Sequence, residues 1–306
     1  MTMIGSFPAN DPRTTLTANA GVPKPTSFGP AEYVMFREEK PAISDATQKT
    51  WYSRGNNFYF VYSDAESGAV LTRNGQPDES VLLLPDPKTS VEVTVNGTSH
   101  VVGGHTISMV APGDAEVRVI VGGPIVRLFT VAGPVPQEHV INADSYAQQK
   151  PNVAPLSPWP GPLVPADLHT YSLDVPKEEG RFGRMFRCST FMVNWLEGYD
   201  GERDPGKMSP HHHDDFEQCS FALEGEFEHH IRWPWISDSL QWREDEHTWV
   251  PSPSIAVIPP PAVHTTRGVG AGHNQMIDFF CPPREDFASK PGWILNADDY
   301  PMPGND

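Results

Sequence analysis

The sequence has no long apolar run, few cysteines and a shortage of basic residues. No hydrophobic run approaches the roughly 20 residues that a membrane-spanning helix needs, so we expect no membrane-embedded segment. Residues 1–10 lack both a basic patch and a long apolar core. They do not resemble a secretory signal, and we expect a cytoplasmic protein.

The cysteines and the charge balance exclude further classes of protein. The three cysteines, Cys188, Cys219 and Cys281, are odd in number and scattered, which argues against a disulfide framework. Basic residues number 22 against 39 acidic residues, giving a net charge of -17. Such a field repels nucleic acid phosphates and anionic membrane surfaces. We therefore expect neither nucleic acid nor a membrane as partner, which leaves a small-molecule substrate.

Proline and glycine, in contrast, are abundant, with 33 and 25 residues. They interrupt the chain too often for long helices, and short runs of β-branched and aromatic residues recur between them. The pattern predicts an all-β protein. The predicted strands are 57–63, 80–84, 90–95, 106–110, 115–121, 125–131, 169–173, 186–196, 216–223, 227–233, 254–258 and 275–281.

A proline-rich segment separates two groups of strands. Eight prolines lie between residues 133 and 165, which is typical of a stiff, extended connection. Two groups of short strands fit closed barrels or jelly rolls, because closure removes exposed sheet edges. The predicted parts are an N-terminal arm at 1–50, a first barrel at 51–135, a linker at 136–168, a second barrel at 169–285 and a tail at 286–306.

The two groups also resemble copies of one unit. The turn at residues 95–97 aligns with the turn at 223–225, and residues 110–116 align with 258–264. On this alignment the second copy carries an insertion of about 20 residues, 233–253. It contains Trp233, Trp235, Trp242 and Trp249, which we expect to pack between subunits or barrels, or to line an aromatic pocket.

The densest chemical signal is a run of histidines at the start of one strand. Side chains alternate faces along a strand, so His211 and His213 should point the same way, with His212 opposite. His264 follows three prolines that fix the direction in which it emerges. Imidazole is a common transition-metal ligand, so the three histidines predict a metal site.

These residues resemble the cupin family. Its first motif is a histidine, any residue and a second histidine, then three or four residues, a Glu or Gln, six residues and a glycine. His211, His213, Gln218 and Gly225 match it. Its second motif runs from a proline to a histidine, matched by 259–264, although Pro261 stands where the motif has glycine.

The resemblance implies two tandem cupin (jelly-roll) β-barrels joined by the Pro-rich linker. It also implies one divalent transition metal, Mn, Fe, Ni, Co or Zn, held by His211, His213, His264 and Gln218. Glu217 is the alternative fourth ligand, since the shorter spacing is also permitted. The equivalent positions in the first copy are Leu83, Pro85, Ser90 and Glu116, so that barrel is expected to be metal-free.

Three functions remain open. The first is a metal-dependent enzyme that performs redox-neutral Lewis-acid chemistry, of isomerase, lyase or hydrolase type, on a small oxygen-rich organic acid. The alternatives are an Fe(II)-dependent dioxygenase, ring-cleaving or related, and a non-catalytic sensor or ligand-binding bicupin. Because cupins commonly dimerise by strand exchange, we expect a homodimer whose arm wraps a neighbouring subunit.

Further residues are candidates by type alone. Glu217, Tyr199 and His230 are candidates for proton transfer, and Arg232 and Arg267 for binding a substrate carboxylate. His229, His247 and His273 are expected to be structural. For His230, too, a structural role is more usual than proton transfer. Asp214 and Asp215 are expected in a solvated turn.

Overall fold

The computed structural model describes residues 25–304, and within that range the chain is almost entirely β. The strands up to the linker are β1 (Glu32–Met35), β2 (Ile43–Ser44), β3 (Gln48–Arg54), β4 (Phe58–Ala65), β5 (Val70–Gln76), β6 (Ser80–Leu84), β7 (Ser90–Val95), β8 (Thr98–Gly103), β9 (Thr106–Val110), β10 (Gly113–Val121) and β11 (Gly123–Thr130).

After the linker come β12 (Leu168–Ser172), β13 (Arg184–Arg187), β14 (Met192–Trp195), β15 (Tyr199–Asp200), β16 (Gln218–Glu224), β17 (Glu226–Arg232), β18 (Glu246–Pro251), β19 (Ser254–Ile258), β20 (Val263–Gly268) and β21 (His273–Phe280). The single α-helix within residues 25–304, α1 (Glu285–Ala288), has one turn. Short 3-10 helices occupy Gln137–His139, Asp144–Tyr146, Pro205–Lys207 and Ser239–Gln241. No helix in the described range is long and apolar enough to cross a membrane.

Each half of the chain forms a two-layered barrel. In the first barrel a large sheet, ordered β12-β9-β6-β11-β4-β3-β2, faces a smaller sheet, ordered β5-β10-β7-β8. In the second barrel the large sheet is β1-β19-β16-β21-β14-β13, with β15 beside β21, and the small sheet is β18-β17-β20. The all-β prediction is confirmed.

The two barrels exchange one edge strand each. Strand β1, from the segment predicted as an arm, pairs with β19 of the second barrel. Strand β12, predicted as residues 169–173 and assigned to the second barrel, instead pairs with β9 of the first. The exchange covers an open sheet edge in each barrel. Strand pairing therefore crosses the predicted domain limits in two places, whereas residues 1–24 of the predicted arm lie outside the described range.

The large sheets of the two barrels pack back to back. Phe60 of the first lies with its ring centroid 5.1 Å from Phe221 and 5.5 Å from Phe279 of the second. All three side chains are fully buried, at 0–1% exposure. This shared apolar layer makes the barrels one packed body and leaves the inner face of each large sheet for its own barrel.

Several local predictions need correction. The predicted strand 186–196 is a hairpin of β13 and β14. The linker contains two 3-10 turns and lies against the second barrel, where the Ala154 N–H donates to the Asp215 carbonyl at 2.7 Å. The three cysteines are buried and unpaired, in agreement with the argument against a disulfide framework.

The internal repeat exists, but the first of the two predicted alignments is shifted by one strand. Gly97 closes the β7–β8 turn, whereas Gly225 closes the β16–β17 turn. The structural counterpart of β16 is β6. In the first barrel β6 lies between β9 and β11, and in the second barrel β16 lies between β19 and β21. The predicted insertion 233–253 accordingly contains an ordinary strand, β18, which is the counterpart of β8.

The four residues predicted as first-copy equivalents of the metal ligands therefore do not occupy the equivalent site. Leu83 lies in the apolar layer between the barrels. Pro85 follows β6, Ser90 begins β7, and Glu116 is on the outer surface, where it pairs with Arg118. The counterpart of Gln218, the first residue of β16, is Ser80, the first residue of β6.

Candidate metal centre

The three predicted histidines meet inside the second barrel. His211 and His264 form an isolated antiparallel bridge in which each backbone N–H donates to the other's carbonyl, at 3.0 and 2.7 Å. His213 follows two residues later, and its ring centroid lies 5.1 Å from both other rings. One ring nitrogen from each histidine lies within 4.8 Å of the others. The backbone bridge thus fixes the distance between two separate parts of the chain.

Local hydrogen bonds orient two of these imidazoles. The Nδ1–H of His211 donates to the Ser209 carbonyl at 2.9 Å, and that of His264 donates to the Ala262 carbonyl at 3.0 Å. A backbone carbonyl accepts only, so these contacts assign the proton to Nδ1 and leave Nε2 as a lone-pair donor. This arrangement is common for metal-ligating histidines.

Burial keeps two of the rings neutral. It lowers the pKa of His213 to about 2, with a smaller effect from the charge of Arg284, and it lowers the pKa of His264 to about 3. His211 is exposed on the cavity side. Only the neutral imidazole can donate a lone pair to a cation, so the protonation states suit a metal ion.

The structure brings Gln218, and not Glu217, to the histidines. The Gln218 Oε1 lies 2.9 Å from His213 Nε2 and 3.3 Å from His264 Nε2. Glu217 points to the opposite face, where its Oε2 accepts from the Asn56 N–H at 2.6 Å. Burial raises the pKa of Glu217 to about 7. Because neighbouring residues in extended chain face opposite sides, only one can reach the site.

Two residues that the sequence analysis missed hold the Gln218 amide. Its Nε2 donates to Ser220 Oγ at 3.0 Å and to Asp278 Oδ1 at 3.4 Å, and Ser220 Oγ–H donates to the same Asp278 oxygen at 2.7 Å. Burial raises the pKa of Asp278 to about 6. With the amide nitrogen held on this side, the amide oxygen faces the histidines. Asp278 is the single charged residue in the otherwise apolar run 276–280 of β21, and this pattern could have identified it.

A stacked column supports His213 from behind. Phe216 stacks on the His213 ring at 4.3 Å. The guanidinium carbon of Arg284 lies 4.1 Å from the centre of Phe216 and 4.0 Å from that of Phe287, so it is sandwiched between two rings. Asp286 accepts from Arg284 Nε at 2.9 Å. These contacts limit rotation of a buried imidazole.

A cavity of about 610 Å³ opens onto His211, His264 and Gln218. Leu196, Phe227 and Met276 provide apolar surface in its lining. Charged residues of both signs form much of the remaining lining: Lys177, Glu178, Arg181, Arg184, Glu197, Glu202, Arg203, Asp204 and Lys207. The volume is typical of sites for small organic ligands.

Of the residues predicted by type, only Tyr199 lines this cavity, and its hydroxyl accepts from the Gly268 N–H at 3.1 Å. His230 and Arg232 lie on the other face of the small sheet, bonded to His247 and Asp245. Arg267 is paired with Glu202 at 2.6 Å. These three side chains are not among those that line the cavity.

The remaining predicted positions are peripheral to the site. His229 is buried in the barrel, whereas His273 pairs with Asp200 near the surface. Asp214 and Asp215 are exposed, as expected of a solvated turn. Trp233 is buried, Trp235 and Trp242 stack on each other, and Trp249 is exposed. None of the four tryptophans lines the cavity at the histidines.

Known proteins resemble this chain in structure but not in sequence. No protein-family model and no curated protein sequence matches the chain. Among solved structures, oxalate decarboxylase from Lactobacillus farciminis, as a formate complex, matches at a TM-score of 0.57 and 14% identity, covering 89% of this chain and 95% of that one. A variant of oxalate decarboxylase from Bacillus subtilis matches at 0.55 and 13%, covering 95% and 90%.

The fold is that of a bicupin. AerE from Microcystis aeruginosa is also similar, at a TM-score of 0.51 and 11% identity over 84% of this chain and 99% of that one. The bicupin architecture predicted from the sequence is thereby confirmed. At such identities a shared fold does not determine a particular reaction.

Proposed function

We propose that this bicupin is a metal-dependent enzyme that performs redox-neutral chemistry on a small organic acid. The proposal rests on one observation above all, the convergence of three imidazoles and one carboxamide oxygen at the floor of a cavity. His211, His213, His264 and Gln218 would hold one divalent transition ion, Mn, Fe, Ni, Co or Zn. The neutral state of His213 and His264 suits them to this role.

All four proposed ligands are uncharged, so a bound ion keeps its full positive charge and acts as a strong Lewis acid toward a carboxylate or carbonyl oxygen. The chain's own residues set the geometry around it. Asp278 and Ser220 hold the Gln218 amide, and Phe216 holds His213. Asp278 also places a carboxyl group in the cavity wall beside Gln218. An acidic group at that place favours an enzyme over the non-catalytic alternative.

The size and lining of the cavity indicate which class of substrate would fit. An acid as small as formate or oxalate would fill little of a 610 Å³ cavity. Leu196, Phe227 and Met276 offer apolar contact to a hydrocarbon portion, while the acid's oxygens would face the histidines. We therefore propose a carboxylic acid that carries an apolar or aromatic part.

The same apolar walls favour a second candidate, an iron(II) dioxygenase acting on an aromatic acid or phenol. Three histidines leave open coordination positions, which such chemistry requires. The cytoplasmic location and the homodimer expected from the sequence stay predictions. The strand exchange in this structure joins the two barrels of one chain, so it does not support a homodimer.

One experiment separates the two enzymes. Protein loaded in turn with Mn, Fe(II), Ni, Co or Zn is incubated with panels of carboxylic acids, sugar acids and phenols, and substrate loss is followed by NMR beside an oxygen electrode. Turnover of an acid without oxygen uptake, abolished by His264→Ala but kept by His230→Ala, supports the proposal. Oxygen uptake matching substrate loss establishes the dioxygenase instead, and no turnover with any metal contradicts both.

A further inference from the structure

The interior of the first barrel contains a buried charge at the position that corresponds to Asp278. In the second barrel Ser220, in the middle of β16, lies opposite Asp278. In the first barrel Leu82, in the middle of β6, lies opposite Arg127. Because β6 and β16 are counterparts, Arg127 occupies the place of Asp278. The first barrel has a guanidinium where the second has a carboxyl group.

Arg127 has little compensation for its charge. It is 4% exposed, its Nη1 donates to the Thr72 carbonyl at 3.4 Å, and its Nε has no hydrogen-bond partner within residues 25–304. The phenol of Tyr52 also faces the guanidinium. A guanidinium does not lose its proton in a protein, so it cannot avoid the cost of burial by neutralising itself.

A second guanidinium lies beside the first. The central carbons of Arg73 and Arg127 are 4.7 and 5.6 Å from the centre of the Phe129 ring. Arg73 is half-buried and donates to Gln76 Oε1 and to the Pro134 carbonyl, which are both uncharged acceptors. The positive charges of the buried Arg127 and the half-buried Arg73 repel each other, because water screens them poorly there.

Acidic side chains offset these two charges only in part. Neither arginine forms a salt bridge with any acid in the part of the chain that the structure describes. Asp78 is near enough to act on Arg73 through its charge. Its carboxylate, however, is occupied by Gln76 Nε2 at 2.5 Å and by the Thr130 hydroxyl at 2.7 Å. Asp78 therefore offsets part of the charge of the two arginines, and this end of the barrel keeps an excess of positive charge.

We propose that the first barrel binds a small oxyanion, such as a carboxylate, between Arg127 and Arg73. An oxyanion would accept from the unpartnered Nε–H of Arg127 and would relieve the repulsion between the guanidiniums. A planar guanidinium matches the two oxygens of a carboxylate. Arg73 and Tyr52 are half-buried, so this end of the barrel is partly exposed to solvent. This site would be independent of the proposed metal centre.

The test is carried out on the full chain with the His211→Ala substitution, which removes an exposed metal-site residue and any binding of carboxylate to a metal there. Sodium acetate and sodium phosphate are titrated by calorimetry and thermal unfolding, with sodium chloride at equal ionic strength as reference. We expect acetate, or phosphate if a tetrahedral oxyanion fits better, to bind and raise Tm beyond the effect of chloride.

Two variants locate the site. Arg127→Met and Arg73→Gln should each lower the affinity for the anion by at least about tenfold, because a charge-assisted hydrogen bond is lost. Arg118→Met, an exposed arginine on the outer face of the same barrel, is the matched control and should bind like the parent. Arg73→Gln decides alone if Arg127→Met does not fold. An oxyanion effect no larger than that of chloride, or parental affinity in the folded variants, overturns the proposal.

Discussion

Replacing Asp278 by leucine tests whether the fourth donor is held in place by its neighbours. The Asp278 carboxyl accepts from Ser220 Oγ at 2.7 Å and from Gln218 Nε2 at 3.4 Å. Leucine leaves both buried donors without this acceptor, at about 1–3 kcal/mol each. Removing a buried carboxyl group offsets part of this loss, so we expect the free energy of unfolding to fall by about 2 kcal/mol.

The effect on metal binding should be larger than the effect on the fold. With Asp278→Leu the Gln218 amide is free to turn its oxygen away, and loss of such a supporting contact weakens metal affinity by about 10- to 100-fold. Asp278→Asn keeps an oxygen acceptor of the same shape and should retain most of the affinity. The assay is competition with a chromophoric chelator for Co(II) or Zn, beside denaturant unfolding.

A control for general destabilisation is Leu82→Ala, at the counterpart of Ser220 in the first barrel. It should cost about 2–5 kcal/mol of stability and leave metal affinity unchanged. Wild-type metal affinity in Asp278→Leu would refute the reasoning, as would an equal loss in Asp278→Asn.

Three further predictions concern the surroundings of the site. Glu217→Gln should leave the metal content unchanged and Gln218→Ala should lower it, because only Gln218 faces the histidines. Elemental analysis measures the metal content, and the reverse result would rule out Gln218 as a ligand. Burial lowers the pKa of His229 to about 3, so the unfolded chain binds more protons below pH 6.5. His229 alone should then lower the unfolding free energy by about 1.4 kcal/mol per pH unit on acidification toward pH 3, so the fall should be less steep in His229→Gln than in the wild type; equal slopes in denaturant titrations would count against this. Phe216→Ala should weaken metal affinity in chelator competition by freeing His213, and unchanged affinity would show that the stacked column is not needed.

The convergence of the histidines could be predicted from sequence because each histidine lies in a short motif of fixed spacing. The spacing of His211, His213 and Gln218, with a rigid proline segment before His264, nearly determines which side chains converge. Asp278 could not be assigned to the site in the same way. It is 60 residues from Gln218, and its place beside the amide depends on the register of β21 against β16.

The errors in the fold also have physical causes. Gly97 and Gly225 both close tight hairpins with positive φ, of 88° and 92°, so either hairpin offers the same local pattern to an alignment. The shift by one strand followed from matching them. Strands β1 and β12 are edge strands of four and five residues whose partners lie in the other barrel. Their own residues contain no information about which sheet edge is open.

The most direct test of the central claim is the metal content of the purified chain. After loading with Co(II), Mn or Zn and gel filtration, elemental analysis should find about one ion per chain in the wild type. His211→Ala and His264→Ala should each lose it, while His230→Ala, on the other face of the same small sheet, should keep it. Equal metal content in all four folded proteins would contradict the site.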